Sequence, residues 1–531
     1  MDPPEVLLGQ TTDQNLPTEI YLRIWDYLCS PDEDVSPKAT RVSMCRFSLV
    51  CRLFRSIAFP VIFRTLTVDL ARAQRRLDPG NKFCIALSRG NELAVSLALT
   101  VNECHIIDTQ IDSDPVLRFS QSHIVAFPKL VCLHTLKLRV RLTIDIFDAL
   151  CELKSLDTIE IMYHFFSGKT ISNVPVIAAL PSVRHAYILP SCNHNHHPCS
   201  LLEQGLYNLM VNSNLITFST TSWDFARQFM LHSWGSSLQL EVLELGWISD
   251  AAILYSFLNK MPSLAVLRAH GPMNSDSQVP PLKPNSLPKL HTLACPLFIL
   301  SSFKTASTIV HLSLVPCACT NTYTRDNSHL LSNSTECLSL WNASLESFEG
   351  HVDIFEMAVK NMQTRGGETF PRLKDLSLRN SHCDLRTNER FKSAPHRASE
   401  VRHLDSLLVL FLSLMPKMII SLLSTFPCLP SLDSLAVYAR WEYQPFNLAT
   451  QHRMIASLSP DKFPVISRVR WTEAVIWRHV KQWEWRPLVP YHQPKPTRNQ
   501  GGKYRYIPEE DFEAFALKWL EESESGGTKH K

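Results

Sequence analysis

A short pattern of apolar residues, apolar-x-x-apolar-x-apolar, recurs along most of this 531-residue chain. In several copies Phe-Pro, Leu-Pro or Met-Pro comes just before it, as in 127–138 and 261–270. The last two apolar residues alternate with polar ones, which predicts a short strand with one buried side. The first apolar residue of each copy, here called the anchor, is Leu133, Leu156, Leu240, Leu264, Leu290, Ile309, Leu345, Leu373 or Leu432, with weaker copies at Val183, Leu215 and Ile466.

The spacing of the anchors predicts a stack of repeated units. From Leu133 to Leu290 successive anchors are 23, 27, 32, 25, 24 and 26 residues apart, which is the period of leucine-rich repeats. Segments such as 145–153 and 251–261 predict helices behind the strands, and neighbouring units must stack because none can bury its apolar side alone. We therefore predict an α/β chain in which residues 69–470 form an irregular leucine-rich-repeat solenoid, with parallel strands on the concave side and helices and loops on the convex side.

The alternative is an ordinary α/β domain, in which strands and helices also alternate. A doubly wound sheet would need a phosphate-binding loop or catalytic residues at its strand ends, and the sequence shows neither. Glycine is scarce, at 15 residues, which argues further against glycine-rich phosphate loops. After Leu290 the anchor spacing becomes 19, 36, 28 and 59 residues, so the later units are predicted to be irregular.

The N-terminal part has a different pattern, because its apolar residues recur with the period of a helix. Residues 15–28 and the first part of 47–68 each place apolar side chains on one stripe, which predicts two or three amphipathic helices. Pro60 is expected to end the second helix before the β-rich segment 63–68. About fifty residues make a small core, so this unit would gain stability by packing on something larger. On pattern alone, a cap for whatever follows is the preferred interpretation.

These two segments resemble an F-box, in the form common in large fungal families. LPTEIYLRIWDYL at 16–28 and SLVCRLF at 48–54 carry the resemblance, which covers roughly residues 14–68. It implies a short all-α unit that binds the Skp adaptor of a cullin–RING ubiquitin ligase. The chain departs from the family in the long polar connection 30–46 and in having Phe where many members carry Trp. The motif positions, of which some would face the adaptor and others would pack the unit, are Leu16, Pro17, Glu19, Ile20, Ile24, Leu28, Leu49, Val50, Cys51 and Phe54.

Composition and charge narrow the possible functions. Lysine and arginine total 53 against 50 acidic residues, a net charge of +3, which does not predict binding to nucleic acid or to a membrane surface. Residues 1–14 lack the features of a signal peptide, so the 15 cysteines are expected to be reduced and the protein cytoplasmic and/or nuclear. The most apolar stretch, 406–426, is broken by Pro416 and Lys417 and is too short to span a membrane.

Residues 192–199 are the strongest candidate for a metal site. Thiolates and imidazoles suit zinc, but this cluster lacks the long separation between ligand pairs that structural zinc sites have. A polar loop between repeats explains it equally well, and we predict no metal and no cofactor. The sequence contains no Gly-x-Ser-x-Gly, Walker or His-Glu-x-x-His motif, so we predict that the chain is not an enzyme. The side chains in the cluster are Cys192, His194, His196, His197 and Cys199.

The C-terminal part, residues 471–531, is predicted to be a Trp/Pro-rich segment with a polar tail. Its segment 509–523 predicts an amphipathic helix that caps the last repeat. The tryptophans and arginines of 468–486 could stack on nucleic-acid bases. Packing of the tryptophans, or contact with a substrate, is the preferred interpretation because the net charge does not support nucleic-acid binding.

The sequence thus predicts a non-catalytic substrate-recognition subunit of a Skp–cullin–F-box ubiquitin ligase. Residues 14–68 would bind the Skp adaptor of the cullin–RING ligase core, and the solenoid would bind an unidentified protein substrate. Two alternatives remain open. One is a repeat scaffold whose F-box-like unit does not bind the adaptor. The other is an RNA-binding repeat protein that uses Arg470 and Arg478.

Overall fold

The structure is a computed structural model that describes part of the chain, in two compact units. Among the described residues, the N-terminal unit ends at Val183 and the C-terminal unit begins at Arg184. The residues described are 44–46, 48–49, 52–70, 78–107, 121–140, 149–163, 182–190, 206, 210, 213–233, 238–246, 248–270, 282–306, 308–315, 328–366, 368–379, 421, 423–438, 448–472, 475–481 and 484–488.

The N-terminal unit alternates helices with short strands. Its helices are α1 Arg52–Ile62, α2 Pro79–Ser88, α3 Glu92–Ala98 and α4 Gln121–Ala126, and a short 3-10 helix follows at Phe127–Lys129. Its strands are β1 Thr65–Asp69, β2 Glu103–Ile107, β3 Thr135–Arg139 and β4 Thr158–Tyr163.

The C-terminal unit continues the alternation over a longer stretch. Its strands are β5 His185–Pro190, β6 Thr217–Thr220, β7 Val242–Leu245, β8 Val266–Ala269, β9 Thr292–Pro296, β10 His311–Val315, β11 Ser347–His351, β12 Asp375–Arg379, β13 Ser434–Tyr438, β14 Arg468–Thr472, β15 Val475–Lys481 and β16 Glu484–Leu488. Its helices are α5 Trp223–His232, α6 Ala251–Leu258, α7 Ser328–Leu340, α8 Val352–Thr364 and α9 Leu448–Ala456, with a 3-10 helix at Leu297–Phe303.

In each unit the strands lie side by side in chain order and are mostly parallel. The strands β1 to β4 pair in parallel, each with the next. The strands β5 to β14 do the same. The last two pairs, β14 with β15 and β15 with β16, are antiparallel. The predicted α/β chain with a long sheet of parallel strands is thereby confirmed.

The anchors form the core behind this sheet. Every predicted anchor, including the weaker ones at Val183, Leu215 and Ile466, has an exposed fraction between 0 and 3%. The apolar residues three and five positions later are buried as well, as Leu136 and Leu138 are in β3. The burial of alternate residues follows from the two-residue period of a strand, which sends successive side chains to opposite faces.

A proline-containing turn places several of the anchors. The N–H of Leu264 donates to the carbonyl of Met261 at 3.1 Å, and the N–H of Leu432 donates to that of Leu429 at 3.2 Å. The residue after each acceptor is a proline, whose fixed φ suits the second position of such a turn. This geometry explains why Phe-Pro, Leu-Pro and Met-Pro precede the repeated pattern.

A second backbone pattern joins successive units. The carbonyl of His134, the residue after an anchor, accepts from the N–H groups of Asp157 at 2.9 Å and Thr158 at 2.8 Å. The carbonyl of Glu241 accepts in the same way from Ala265 and Val266. Because the bonds link equivalent residues, they fix the register between neighbouring strands.

Side-chain caps begin several of the helices that cover the core. The Asp250 carboxylate accepts from the N–H groups of Ala252 at 2.9 Å and Ile253 at 3.2 Å, and α6 begins there. Ser222 caps α5 by accepting from the N–H of Phe225 at 3.2 Å. Such caps satisfy N–H groups that have no partner inside the helix. The helix predicted over 251–261 is confirmed as α6.

One expectation differs from the structure, at the start of the repeats. The prediction that Pro60 ends its helix is wrong, because α1 continues through Pro60 to Ile62. Pro60 lies in the last turn and lacks the N–H that would donate to a carbonyl one turn earlier, but only two residues of α1 follow it. At the other end, β14 crosses the predicted limit at 470/471, and β15 and β16 continue the sheet to Leu488. The predicted domain limits themselves stay predictions.

Some predicted features lie outside the described residues: the helix at 15–28, the Cys/His cluster 192–199, most of the apolar stretch 406–426 and the helix at 509–523. In the parts of the chain that the structure covers, no helix has both the length and the apolar character that a membrane crossing requires.

Candidate binding surfaces

The N-terminal helix α1 packs on a small hydrophobic cluster of its own. Met44, Ala58 and Ile62 are buried together, and the partly buried rings of Phe59 and Phe63 pack against them. These two rings meet edge to face, with centroids 5.5 Å apart. The edge-to-face geometry is favourable for aromatic pairs and fixes the end of the helix against the chain that leads into β1.

Leu49, five residues after Met44 of this cluster, lies at the surface. Its side chain is 75% exposed, although leucine is usually buried in folded proteins. The turn that carries it is well held: the N–H of Leu49 donates to the carbonyl of Arg46 at 3.1 Å, and the Ser48 hydroxyl donates to the carbonyl of Cys45 at 2.7 Å. Val61 of α1 is a further exposed apolar residue, at 41%. This unit therefore presents apolar side chains to solvent on a supported backbone.

The structure locates only part of the predicted adaptor-binding set. Leu49 is exposed, and Phe54 lies within α1. The roles predicted for all ten positions stay predictions. The other predicted residues, Leu16, Pro17, Glu19, Ile20, Ile24, Leu28, Val50 and Cys51, lie outside the described residues.

The second candidate surface is the outward face of the sheet, defined as the face opposite the anchors. In the N-terminal unit it carries Glu103 of β2, whose carboxylate lies 2.7 Å from His105 Nε2 and 3.1 Å from Lys137 Nζ. Partial burial acts to raise the pKa of Glu103, but the hydrogen bonds from His105 and Lys137 outweigh it and hold the pKa below its usual value. This glutamate is therefore ionised at neutral pH.

Opposite charges also face each other across strands of the C-terminal unit. Arg268 of β8 is paired in register with Glu244 of β7, and their side chains form an ion pair. Arg379 of β12 pairs with Glu349 of β11, which also accepts a hydrogen bond of 2.9 Å from the Ser313 hydroxyl. Exposed ion pairs contribute little to stability, so their main effect is to set the charge pattern of this face.

At the start of strands β11 to β14 the charges alternate in sign. Lys374 Nζ lies 2.8 Å from the Glu346 carboxylate, and the Arg468 guanidinium lies 2.7 Å from Asp433 and 3.8 Å from Asp375. Partial burial acts to raise the pKa of Asp433, but hydrogen bonds from Ser467 and Arg468 outweigh it and lower the pKa. The charge of Arg468 is thus balanced by neighbouring carboxylates.

Three tryptophans in the described C-terminal strands face the core. Trp471 and Trp477 are 0% exposed, and Trp485 is 5% exposed. The indole N–H of Trp477 donates to Gln451 Oε1 at 2.9 Å, and both residues are buried. The packing of these three tryptophans agrees with the preferred sequence interpretation. Their rings are not available to stack on nucleic-acid bases, which is what an RNA-binding role for this segment would require.

The cysteines that the structure describes are free thiols, and several are in the core. Burial raises the pKa of the Cys84 and Cys337 thiols to about 12, so both are protonated at neutral pH. A protonated thiol is neither a nucleophile nor a metal ligand. Among the residues with described positions, no group of three or more His, Cys, Asp or Glu side chains is arranged to hold a metal ion.

Sequence reasoning did not single out Val61 or the paired charges of the outward face, such as Glu244 with Arg268. The signal for the second group was present, because residues two and four positions after each anchor must point away from the core. Reading the sequence at those positions gives Glu244, Arg268 and Glu349 directly. No equivalent signal in the sequence distinguishes the exposed Val61 from the apolar residues of α1 that are buried.

Comparison with known proteins identifies the beginning of the N-terminal unit. Residues 13–69 match the family model of the F-box-like domain. The predicted resemblance to an F-box is therefore confirmed, and the chain carries a domain that in general marks Skp-binding adaptors of Skp–cullin–F-box ubiquitin ligases. F-box proteins are typically non-catalytic. No curated protein matches the chain.

Proposed function

We propose that this protein is a substrate-recognition subunit of a Skp–cullin–F-box ubiquitin ligase. Its F-box-like unit binds the Skp adaptor, and its repeats, which we assign to an irregular leucine-rich-repeat solenoid, bind a protein substrate. The ligase transfers ubiquitin through its other subunits, and this chain acts by holding substrate lysines near the charged conjugating enzyme. Tethering raises their effective concentration without any catalytic group on the chain. Such an assembly works in the cytoplasm or nucleus.

The observation that carries the proposal is the F-box-like match together with the exposure of Leu49. An apolar side chain that is 75% exposed on a hydrogen-bonded turn is in the state expected of an interface residue before its partner binds. The buried cluster of Met44, Ala58 and Ile62 holds the unit together without it. The residue proposed to contact the adaptor is thus not one of the residues that hold the F-box-like unit together. The two roles can therefore be tested separately.

The experiment is capture of purified Skp adaptor by the full-length protein and by Leu49→Asp. We expect the wild type to retain the adaptor and the variant to bind at least about tenfold more weakly, because binding would bury the Asp carboxylate in an apolar interface. Because Leu49 is exposed in the free protein, the substitution leaves the fold intact, which circular dichroism and thermal melting will check.

Leu340→Asp is the matched control. Leu340 is 58% exposed at the end of α7, so this variant makes the same change on a surface that is remote in sequence from the F-box-like unit. It should capture the adaptor as the wild type does. Absence of capture by the wild type would reject the ligase assignment in favour of a repeat scaffold. Undiminished capture by a folded protein lacking residues 1–68 would reject the F-box-like unit as the docking site.

A further inference from the structure

Exposed apolar side chains are concentrated in the first part of the chain. Among the described residues, ten large apolar side chains are exposed, and seven of them lie between residues 49 and 131. The other three, Leu340, Met357 and Val465, are spread over the much longer C-terminal unit. Single exposed apolar residues are normal on any protein, whereas a concentration of them marks an interaction surface.

Three of these side chains occupy equivalent positions in neighbouring units. The carbonyl of Arg64 accepts from the N–H groups of Asn102 at 2.9 Å and Glu103 at 3.0 Å. The carbonyl of Asn102 accepts in the same way from His134 and Thr135, so Arg64, Asn102 and His134 are equivalent residues. An exposed apolar residue stands three positions before each of them. We call these residues the apolar row: Val61, 41% exposed, Leu99, 55% exposed, and Val131, 53% exposed.

The repeat itself does not account for leucine or valine at this position. Val131 is the second residue of a turn in which the N–H of Leu133 donates to the carbonyl of Leu130 at 3.0 Å. The same position of the turn holds Lys154 in the next unit and Pro262 in a later one, and both are exposed. The turn therefore accepts a lysine or a proline, and the apolar row ends where Lys154 begins the next unit.

The turns that carry the apolar row are held by side-chain hydrogen bonds. The Ser155 hydroxyl donates to the carbonyl of Val131 at 2.7 Å, and the Thr100 hydroxyl next to Leu99 donates to the carbonyl of Leu97 at 2.8 Å. Neighbouring strands lie about 4.8 Å apart, and a helix places residues four positions apart at about 5–6 Å. The row is therefore spaced to receive the apolar stripe of a helix that crosses the starts of the strands.

We propose that the apolar row extends the adaptor-binding surface from the F-box-like unit onto the units of β2 and β3, where it binds an apolar helix stripe of the Skp adaptor. The row begins at Val61, which lies in α1 and within the residues 13–69 that match the F-box-like domain. A partner that docks on this domain is thus next to Leu99 and Val131. The inference rests on the proposed adaptor binding, and it adds that the repeats take part in it directly.

The test is the affinity of purified Skp adaptor for the full-length protein and for Leu99→Asp/Val131→Asp, measured by biolayer interferometry. We expect the double variant to bind about tenfold more weakly, because binding would bury two carboxylates against an apolar surface. Both side chains are about half exposed in the free protein, so the fold should be retained, which circular dichroism and thermal melting will check.

The matched control is Leu340→Asp/Val465→Asp. It replaces a leucine that is 58% exposed at the end of a helix and a valine that is 51% exposed in the turn before a strand, as the test variant does, but in the C-terminal unit. We expect it to bind the adaptor as the wild type does. If the aspartates unfold the N-terminal unit, Leu99→Ser/Val131→Ser is measured instead and should bind about threefold more weakly, because it removes apolar contact area without adding charge.

The possible failures are distinguishable. If Leu49→Asp weakens binding and a folded Leu99→Asp/Val131→Asp binds as the wild type does, this inference alone is rejected. An equal loss in the control variant would also reject it. Absence of adaptor binding by the wild type rejects the proposed function, and with it the adaptor as the occupant of the row. If light scattering shows that the wild type alone is a dimer and Leu99→Asp/Val131→Asp a monomer, the row is an interface between copies of this chain instead.

Discussion

At the scale of single residues, Gly80 shows how closely the helices approach the sheet. A Cβ atom at this position would lie 2.1 Å from the carbonyl oxygen of Thr67 in β1, far inside van der Waals contact. The approach is fixed by Asp78, whose buried carboxylate accepts from the N–H of Asn81 at 2.7 Å and begins α2. Only glycine lets this helix start against the backbone of the strand.

We predict that Gly80→Ala destabilises the N-terminal unit. The neighbouring atom belongs to the backbone of β1, so the strand or the helix must shift, which costs about 1–3 kcal/mol as in other overpacked sites. Thermal melting of the full-length variant should show a lower transition temperature. Hydrogen exchange should become faster in β1 and the start of α2.

Gly90→Ala is the control for this prediction. Gly90 has a φ of +75°, but a Cβ atom added there would have no other atom within 4 Å, so alanine is strained without touching β1. We expect it to leave exchange in β1 unchanged, even if the melting temperature falls. Equal protection of β1 in Gly80→Ala and the wild type would contradict the role given to Gly80.

At the scale of helices and strands, the repeated units follow from local chemistry. The turn, the anchor and the strand that follow one another in each repeat are specified within about a dozen residues. This is possible because strand period and proline turns are local properties. This is why the pattern alone identifies anchors from Leu133 to Ile466 that are all buried in the structure. The outward charges are equally local, but the apolar pattern does not draw attention to them.

The strands that the pattern misses depend on contacts between distant residues. In β2 the inward residues are Cys104 and Ile106, without the leucines and the introducing proline that mark other copies. In β15 the inward Trp477 relies on Gln451 of α9, 26 residues earlier. The antiparallel pairing at the end of the sheet has no counterpart in the repeat pattern. The predicted adaptor-binding residues came from the family resemblance, and the structure adds that Leu49 is exposed.

We predict that Leu264→Ala weakens its own unit and the two beside it. Leu264 is 0% exposed, so the truncation leaves a cavity and lowers the free energy of unfolding by about 2–5 kcal/mol. The strand that follows it, β8, pairs with β7 and β9. Hydrogen exchange should therefore increase most in these three strands, because a repeat interacts mainly with its neighbours.

The comparison is Leu340→Ala, at a leucine that is 58% exposed. The free energy of unfolding of this variant should be within about 0.5 kcal/mol of the wild-type value, as is usual for surface substitutions. If Leu264→Ala instead raised exchange uniformly over the C-terminal unit, the units would unfold together and a nearest-neighbour description would be wrong.

At the scale of the whole molecule, the question is how a sheet of parallel strands ends. An open edge exposes N–H and C=O groups that recruit other chains. Here β15 and β16 fold back in antiparallel fashion on β14, and the last described strand contains Pro487. Proline has no N–H to donate and is typical of protected edge strands. The inward tryptophans of these strands cover the core beside Val469 at the same time.

We predict that a chain ending at Thr472 self-associates. The truncation removes β15, uncovers the edge of β14 and takes the Trp477 indole away from the buried amide of Gln451, which is then left without that donor. Size-exclusion chromatography with light scattering should show oligomers or aggregates where the full-length protein is monodisperse. The antiparallel strands would thereby act as the cap that repeat proteins need at their ends.

A chain ending at Leu488 tests whether these strands suffice, because it keeps β15 and β16 and removes 489–531 with the helix predicted at 509–523. If the antiparallel strands are the cap, this chain should be as monodisperse as the full-length protein and melt at a similar temperature. If it self-associates as the shorter chain does, the capping role belongs to the removed segment, as the amphipathic pattern of 509–523 predicts. The two truncations together show which segment covers the last layer of the core. It is either the antiparallel strands β15 and β16 or the removed residues 489–531, because the two possibilities predict different behaviour of the chain that ends at Leu488.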